Sequence, residues 1–335
     1  MAGIDMHKYA VVFAGQGAQK PGMGKSLYEA SPAARAIFDK AGEEIKFDCF
    51  EADAERLRQT EVTQPAVYTM DIAAYAALLE ALEADDNGLG GPSGLAGFSV
   101  GEYAAYTAAG LIGNLEDGLA IVKARSLLMK AAGTASDGSQ KGAMAAGMGD
   151  RESVLALVEK ARDDGVLEAV NFNSPQQTVV AGDTAAVERF TALAKGDRAL
   201  GVKAIPLAVS GAFHSPLMGP AADTFAEVLS DYSFGEPSIP IYLNVTGGKY
   251  EEYSNAAVGT TSAKARALMV CQIQSPVQWQ YTIEAMADDG IETIIEVGPG
   301  RTLTGLTKKI APEIAAMNVE DARSLAETVT FFKER

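Results

Sequence analysis

The residue best suited to nucleophilic chemistry is a serine between two glycines. The stretch Gly97-Phe98-Ser99-Val100-Gly101 follows a short apolar run and precedes a helical segment that stops at Gly110. A serine with a glycine two residues away on each side is typical of a nucleophile elbow, because strand and helix pass closely there. The five residues alone fit an ordinary glycine-rich loop equally well. The hypothesis of a nucleophile therefore depends on a base for it.

His214 is the realistic candidate for that base. The chain has 2 histidines; His7 lies in a polar leader, whereas His214 lies in a loop rich in small residues. A lone histidine is more often a surface or core residue, but together with the elbow it favours a Ser99–His214 dyad. No acidic residue in a comparable loop stands out, so we expect a backbone carbonyl to orient the imidazole.

Two donors are expected to stabilise the oxyanion of a serine-based acyl transfer. The N–H of Val100 directly follows the serine. The Gly15-Gln16-Gly17 loop, after a strand predicted over 9–13, offers the backbone or the side chain of Gln16. This loop lacks the Gly-Lys-Ser/Thr ending of a phosphate-binding loop.

An arginine on a helix row of small and apolar residues indicates the charge of the substrate. Arg125 shares this row of the helix predicted over 115–132 with Gly118, Val122 and Met129. Because burying an unpaired guanidinium is costly, Arg125 either reaches the rim or faces an anionic ligand. A carboxylate on the acyl group would form a bidentate pair with it. The pattern predicts transfer of a negatively charged acyl group through a serine ester.

The order of the predicted elements is that of an α/β protein with an insertion. Strands alternate with helices along most of the chain, which predicts a mostly parallel sheet. Between residues 142 and 207 the order becomes β-α-β-β-α-β, the ferredoxin-like arrangement. We therefore expect a large domain from residues 1–133 and 209–335 and a small subdomain from 134–208.

Several element boundaries follow from local signals. A single helix is expected over 32–46, and another over 65–84 with Pro65 in its first turn. Asn114 is the expected cap of the helix over 115–132. Strands are expected over 166–172 and 239–245, and a helix over 277–289.

Composition excludes several classes of function. The 335 residues include 28 Lys and Arg against 44 Asp and Glu, a net charge of −16 that argues against nucleic acids and anionic membranes. No apolar run is long enough to span a membrane, and no signal peptide is visible, so a cytoplasmic protein is expected, with Met6 as a possible natural start. Cys49 and Cys271 lie far apart, which predicts reduced thiols and no metal site.

A set of motifs, in its order and spacing, resembles the malonyl-CoA:acyl carrier protein transacylase family of type II fatty acid synthesis. The similarity runs from about residue 9 to residue 333. The motifs are Gly15-Gln16-Gly17-Ala18-Gln19, Gly97-Phe98-Ser99-Val100-Gly101-Glu102-Tyr103, Arg125 with Met129, Asn171-Phe172-Asn173-Ser174-Pro175, Gly211-Ala212-Phe213-His214-Ser215-Pro216-Leu217-Met218, Pro276-Val277-Gln278-Trp279 and Glu296-Val297-Gly298-Pro299-Gly300.

The resemblance implies a fold and a set of residue roles. The fold is an α/β-hydrolase-like large domain with a ferredoxin-like insertion. Ser99 is then the acylated nucleophile, His214 its base, and Arg125 the clamp on the malonyl carboxylate. The remaining roles go to the oxyanion donors Gln16 and Val100, to Gln272, whose backbone carbonyl orients the histidine, and to the substrate-binding residues Asn171, Met129 and Phe213.

The implied reaction is ping-pong. Ser99 takes the malonyl group from malonyl-CoA, and the phosphopantetheine thiol of acyl carrier protein then takes it from the serine, which feeds fatty acid chain elongation. The coenzyme A thioester is a substrate, and no cofactor or metal is implied. A monomer is expected.

Two residues bear on specificity. Many family members have His before the nucleophile, where this chain has Phe98. Phe213, before the histidine, resembles the malonyl-selective members, because a bulky ring leaves less room for the α-methyl group of methylmalonyl; one methyl group is worth about 1–3 kcal/mol.

The carrier protein in such systems is acidic, so docking on this acidic chain requires a local basic patch. The candidates are Arg301, Lys308, Lys309, Lys123, Lys130 and Lys203. Other functions remain open at this point: an acyltransferase of polyketide synthesis with another extender unit, a serine hydrolase or thioesterase on the same elbow, and a non-catalytic carrier-binding module. The chain ends favour a whole protein over a fragment.

Overall fold

Short apolar runs form the strands of a central sheet. In the computed structural model, which describes residues 7–84, 89–197, 199, 201–209, 211–254 and 259–334, all five residues of β1 (Tyr9–Phe13) are buried. The strands that follow are β2 Gly94–Gly97, β3 Ala143–Met148, β4 Leu167–Ser174, β5 Gln177–Gly182, β6 Lys203–Pro206, β7 Ile241–Tyr242, β8 Thr293–Val297 and β9 Ala315–Val319. The possible start at Met6 lies outside the described residues.

Helices cover the sheet and connect its strands. They are α1 Lys25–Ala30, α2 Pro32–Ala41, α3 Glu43–Phe50, α4 Thr60–Ala84, α5 Gly101–Ala108, α6 Leu115–Gly133, α7 Arg151–Arg162, α8 Thr184–Gly196, α9 Gly219–Leu229, α10 Thr261–Gln274, α11 Trp279–Asp288, α12 Thr302–Ile310 and α13 Ala322–Lys333. The fold is α/β, as the sequence predicts.

The large sheet has the order β7-β2-β1-β8-β9, and all of its neighbours are parallel. In parallel sheets of this kind, ligands bind beyond the carboxyl ends of the central strands. Here β1 runs into the Gly15–Gly17 loop, β2 into the Ser99 turn, and β8 into the turn at Gly298. The topology therefore brings three glycine-containing turns to one edge of the sheet.

The second sheet has the order β4-β5-β3-β6 with antiparallel pairing throughout. Its elements follow one another as β3-α7-β4-β5-α8-β6, and α7 packs on α8, so this is the ferredoxin-like unit that the sequence predicts. The strand expected over 166–172 ends later than expected, because Asn173 and Ser174 also belong to β4. The limits 134 and 208 of this subdomain stay a prediction.

One backbone junction joins the small sheet to the large unit. The N–H of Phe172 donates to the carbonyl of Val277 at 2.9 Å, and the N–H of Val277 donates to the carbonyl of Val170 at 2.8 Å. The N–H of Gln278 then donates to the carbonyl of Asn244 at 2.7 Å. Because Val277 pairs with β4, the helix expected over 277–289 begins only at Trp279.

Three further expectations on element bounds are wrong. The helix expected over 32–46 is two helices, since Gly42 has a φ of 95° and ends α2. Helix α4 begins at Thr60 and contains Pro65, because the carbonyl of Gln59 already accepts the N–H of Thr63 at 2.8 Å. The strand expected over 239–245 is β7 alone, and the chain leaves the sheet after it. The cap of α6 is confirmed: Asn114 accepts the N–H of Asp117 at 2.8 Å.

Candidate active site

The serine lies on a turn that only small neighbours permit. Ser99 has a φ of 54°, which is in the left-handed region that residues other than glycine rarely adopt. A Cβ on Gly97 would lie 2.0 Å from the carbonyl oxygen of Gly101, and a Cβ on Gly101 would lie 2.4 Å from the carbonyl oxygen of Phe13. The glycines are therefore required by the close approach of β1, β2 and α5. The turn leaves Ser99 partly exposed.

A histidine with a fixed tautomer faces the serine. Ser99 Oγ lies 2.8 Å from Nε2 of His214, and Nδ1 of His214 lies 2.9 Å from the carbonyl oxygen of Gln272. A carbonyl can only accept, so Nδ1 carries the hydrogen and Nε2 is free to accept the serine proton. Burial and the Arg125 charge lower the pKa of His214 to about 4, although the Gln272 carbonyl opposes this shift. This shift favours the neutral imidazole, whose Nε2 can accept a proton, at physiological pH.

Asn244, which the sequence analysis missed, fastens the turn. Its Oδ1 accepts the N–H of Ser99 at 2.8 Å, and its Nδ2 donates to the carbonyl of Gly97 at 2.6 Å. The side chain of Gln272 donates from Nε2 to the carbonyl of Ser99 at 2.8 Å. A polar residue directly after a short apolar strand was the signal that could have indicated Asn244.

The guanidinium of Arg125 lies beside the serine and is fully buried. Nη2 donates to Ser99 Oγ at 3.2 Å and to Oε1 of Gln272 at 3.0 Å, and Nη1 donates to Oε1 of Gln64 at 2.5 Å. The ring of Tyr103 lies 5.1 Å from its central carbon. Within the described ranges no Asp or Glu forms an ion pair with this side chain. The sequence allowed Arg125 to reach the rim or to face an anionic ligand, and the rim position is wrong because the side chain is buried. Desolvation lowers the pKa of Arg125.

Gln64 connects this arginine to the oxyanion loop and was also missed. Its Nε2 lies 3.4 Å from Oε1 of Gln16 and 3.7 Å from the sulfur of Met129. Gln16 in turn donates from Nε2 to Thr60 at 3.2 Å. Since the side chain of Gln16 is engaged in this way, its backbone N–H is the better candidate oxyanion donor. No residue in the described part of the chain accepts from that N–H or from the N–H of Val100.

A cavity of about 330 Å³ lies between the large unit and the small sheet. Its walls include the Gly15–Gly17 loop, Phe98, and the β4 residues Asn171 and Asn173. The Oδ1 atoms of both asparagines are buried and have no hydrogen-bond partner among the described residues. Such atoms are costly unless a ligand or water pairs with them. Both side chains lie in the cavity wall, although these two oxygen atoms are not themselves exposed to the cavity.

The other predicted substrate contacts lie deeper. Met129 and Phe213 are buried, 1% and 6% exposed, and pack in the apolar core of the large unit rather than in the cavity wall. Phe98 lines the cavity, and its ring packs edge-on against Trp279 with centroids 5.4 Å apart. Phe98, directly before the serine, therefore forms an apolar part of the cavity wall.

The arrangement defines a class of protein. A serine on a strained turn, a neutral imidazole anchored by a carbonyl, and a cation beside the serine suit transfer of an anionic acyl group.

In the part of the chain that the structure describes, no three His, Cys, Asp or Glu side chains cluster closely enough to hold a metal ion. No helix within those limits is long and apolar enough to cross a membrane.

Comparison with known proteins gives the family. Residues 10–328 match the acyl transferase domain family, and the chain belongs to it. It is 37% identical to the malonyl CoA-acyl carrier protein transacylase of Haemophilus influenzae, over 95% of this chain and 97% of that protein. The enzyme of the same name from Bacillus subtilis is also 37% identical, over 98% of both chains.

A solved structure shares the whole architecture. It is a malonyl-transacylase in complex with a type II polyketide synthase acyl-carrier protein. The sequences are 34% identical, the TM-score is 0.84, and the match covers 97% of this chain and 99% of that one.

The low pKa of the dyad histidine is directly measurable. In a His7→Asn variant, His214 is the sole imidazole. We expect its ring signals in an NMR titration to change near pH 4, because burial and Arg125 disfavour the protonated form.

Unfolding provides the control for this titration. In the same variant in denaturant, the ring should titrate near the ordinary value of about 6.5. A folded-state titration near that ordinary value would contradict the buried, neutral dyad. Because the folded pKa is depressed, this histidine stabilises the fold fully above the unfolded pKa and progressively less as the pH falls toward 4.

Proposed function

We propose that this protein transfers the malonyl group from malonyl-CoA to the phosphopantetheine thiol of acyl carrier protein. The observation that carries the proposal is the buried guanidinium of Arg125, 3.2 Å from the hydroxyl of Ser99 and held by neutral partners. An acyl group whose carboxylate pairs with Arg125 would compensate this buried charge and place its thioester carbon next to the serine.

In the first half-reaction, Ser99 attacks the thioester carbon while Nε2 of His214 takes the hydroxyl proton. The N–H groups of Val100 and Gln16 stabilise the oxyanion of the tetrahedral intermediate. When the intermediate collapses, the carbon–sulfur bond breaks, and the imidazolium returns its proton to the coenzyme A thiolate. The products are free coenzyme A and a malonyl ester on Ser99.

In the second half-reaction, the thiol of the carrier protein gives its proton to His214 and attacks the ester carbon. Collapse of the second intermediate breaks the bond to Ser99 Oγ, which takes the proton back from the imidazolium. The neutral imidazole serves both steps, because each begins with proton removal from a weakly acidic group.

The cavity supports an extended acyl carrier. The pantetheine arm that coenzyme A and the carrier protein share contains amide groups, and rotation of the Asn171 and Asn173 side chains would turn their own amide groups toward it. We infer that the arm passes between the Gly15–Gly17 loop and β4. Phe98 then packs against the apolar part of the arm.

The carrier could serve fatty acid or polyketide synthesis. A malonyl-transacylase of similar structure was solved with a polyketide carrier protein, so the same site chemistry is compatible with either carrier. We propose fatty acid synthesis, in the cytoplasm and as a monomer. The two 37% identical relatives support the choice of malonyl-CoA and acyl carrier protein as the substrates. The ion-pairing site at Arg125 favours either transferase over a serine hydrolase, which does not need a charged acyl group.

The malonyl ester is the first prediction of this proposal. Brief exposure to malonyl-CoA should add the mass of one malonyl group to Ser99, and carrier protein should then remove it. The adduct should be absent from Ser99→Ala and present in the exposed-site control Ser139→Ala. Intact-mass and peptide mass spectrometry measure both steps. The absence of any adduct on wild-type protein would exclude the mechanism.

The role of Arg125 predicts a change in acyl selectivity. Arg125→Ala should lower kcat/KM for malonyl-CoA by about 100-fold or more, because a buried charge pair is worth several kcal/mol. Acetyl transfer should be retained or increased, since acetyl has no carboxylate. Arg125→Lys keeps the charge but loses the bidentate geometry, so its kcat/KM for malonyl-CoA should lie between those of the wild type and Arg125→Ala. Steady-state kinetics with both thioesters decide this, and equal losses for both would refute a carboxylate clamp.

A basic surface at the cavity mouth is proposed to receive the acidic carrier protein. Thr302 and Leu306 of α12 line the cavity, and Lys309 lies on the same helix face. Arg301, directly before α12, is exposed. Two of the other candidates are engaged by acidic partners: Lys123 with Glu44 at 3.7 Å, and Lys130 with Glu61.

Charge reversal tests this surface. The Arg301→Glu, Lys309→Glu double variant should raise KM for carrier protein by about tenfold at low salt, and less at high salt. Acylation of Ser99 by malonyl-pantetheine, which lacks the nucleotide phosphates, should not change. Lys123→Glu is the matched control and should leave both reactions as they are. An unchanged KM for carrier protein in the double variant would place the docking surface elsewhere.

A further inference from the structure

A buried carboxyl group lies directly beneath the serine turn and takes no part in the proposed proton transfers. Glu102, in the first turn of α5, is 0% exposed. Its Oε1 accepts the backbone N–H of Asn244 at 2.7 Å, and its Oε2 accepts Nε2 of Gln272 at 2.7 Å. The side chains of Asn244 and Gln272 also hold the backbone of Ser99, and the N–H of Glu102 donates to the Ser99 carbonyl at 3.2 Å.

The neighbours of Gln272 fix which end of its amide faces which group. Arg125 can only donate, so it requires the amide oxygen, which lies 3.0 Å from Nη2. The carbonyl of Ser99 can only accept, so it requires the amide nitrogen, at 2.8 Å. Glu102 also faces that nitrogen and accepts from it. The orientation of the Gln272 amide is therefore fixed, because Arg125 donates to its oxygen while Ser99 and Glu102 accept from its nitrogen.

Glu102 suits this position because both oxygens of a carboxylate can accept a hydrogen bond. The N–H of Asn244 faces one oxygen and the NH₂ of Gln272 faces the other, and both are donors. An amide in place of Glu102 would turn its own NH₂ toward one of them. That leaves a buried donor opposite a donor, or it drives Gln272 to rotate and to present its NH₂ to Arg125.

We propose that Glu102 is a positioning residue that acts through the side-chain amide of Gln272 to hold Arg125 in its carboxylate-binding orientation, and so sets the preference for acyl groups that carry a carboxylate. The inference rests on the proposed function. It assigns a selectivity role to a carboxyl group that touches neither the substrate nor the side chains of the dyad. Because the network also contacts the backbone of Ser99, kinetics with one substrate cannot separate this role from a general support of the fold.

The readout is therefore the ratio of kcat/KM for malonyl-CoA to kcat/KM for acetyl-CoA. Glu102→Gln should lower this ratio about tenfold, because malonyl uses the orientation of Arg125 and acetyl does not. A merely structural role would lower both values together and leave the ratio unchanged. Glu116→Gln makes the same chemical change on an exposed side chain that pairs with Lys40, and it should leave the ratio at the wild-type value.

A double-mutant cycle tests the route through Gln272. Gln272→Leu removes the amide but keeps the backbone carbonyl that anchors His214, and it should lower the ratio as Glu102→Gln does. The Glu102→Gln, Gln272→Leu double variant should be no worse than Gln272→Leu alone, since both changes break one connection. Additive losses would overturn the proposal, as would a ratio that rises in Glu102→Gln, which would indicate that the carboxylate acts by its charge alone.

Folding and the proposed function are controlled separately. Thermal unfolding and circular dichroism establish that each variant is folded. If Glu102→Gln does not fold, the Gln272→Leu ratio still decides, because an unchanged ratio there overturns the proposal. Wild-type protein that transfers no malonyl group would refute the proposed function itself, whereas wild-type transfer with unchanged ratios in the variants would refute only the role of Glu102.

Discussion

The burial of one guanidinium is the constraint on which the site depends. Arg125 is 0% exposed, and its partners are the amides of Gln64 and Gln272, the hydroxyl of Ser99 and the ring of Tyr103. A buried cation with neutral partners is a cost to the fold that an anionic ligand can offset. Under the proposed function, the group that pairs with the malonyl carboxylate is in place before any substrate binds.

The same network holds the nucleophile. Gln272 connects three functions, because its carbonyl anchors His214, its amide oxygen receives Arg125, and its amide nitrogen donates to the carbonyl of Ser99. Glu102 lies behind it. Burial raises the pKa of this carboxyl, and the N–H donors of Asn244 and Gln272 oppose that shift, which favours the ionised form. Ser99, His214 and Arg125 are thus all connected through one residue, Gln272.

The small sheet contributes the far wall of the cavity and is joined to the catalytic turn by backbone hydrogen bonds. β4 pairs with Val277, the next residue donates to the carbonyl of Asn244, and Asn244 accepts the N–H of Ser99. Arg151 of α7 strengthens the junction, with its guanidinium 4.8 Å from the ring of Phe172 and 5.2 Å from that of Tyr281. The wall that carries Asn171 and the serine are therefore held in a fixed relation.

Local residue patterns were enough for the fold class and for the position of the elbow. Periodicity and the glycines predicted the parallel sheet, the ferredoxin-like order and the turn at Ser99, because strands, helices and sharp turns depend on residues close in the chain. One error in element bounds has the opposite origin. Val277 reads as helix by local pattern, but pairing with β4, which is distant in the chain, gives it another backbone conformation.

The sequence by itself determined the chemical inventory: a serine that a turn can expose, one usable imidazole, and an arginine among small residues. Only the tertiary structure decided that Arg125 is buried rather than at the rim, and that Gln64, Asn244 and Glu102 belong to the site. The reason is physical. A polar side chain is defined by the donors and acceptors it meets, and those of this site come from α4, α5, α6, α10 and the segment after β7, which no local pattern brings together.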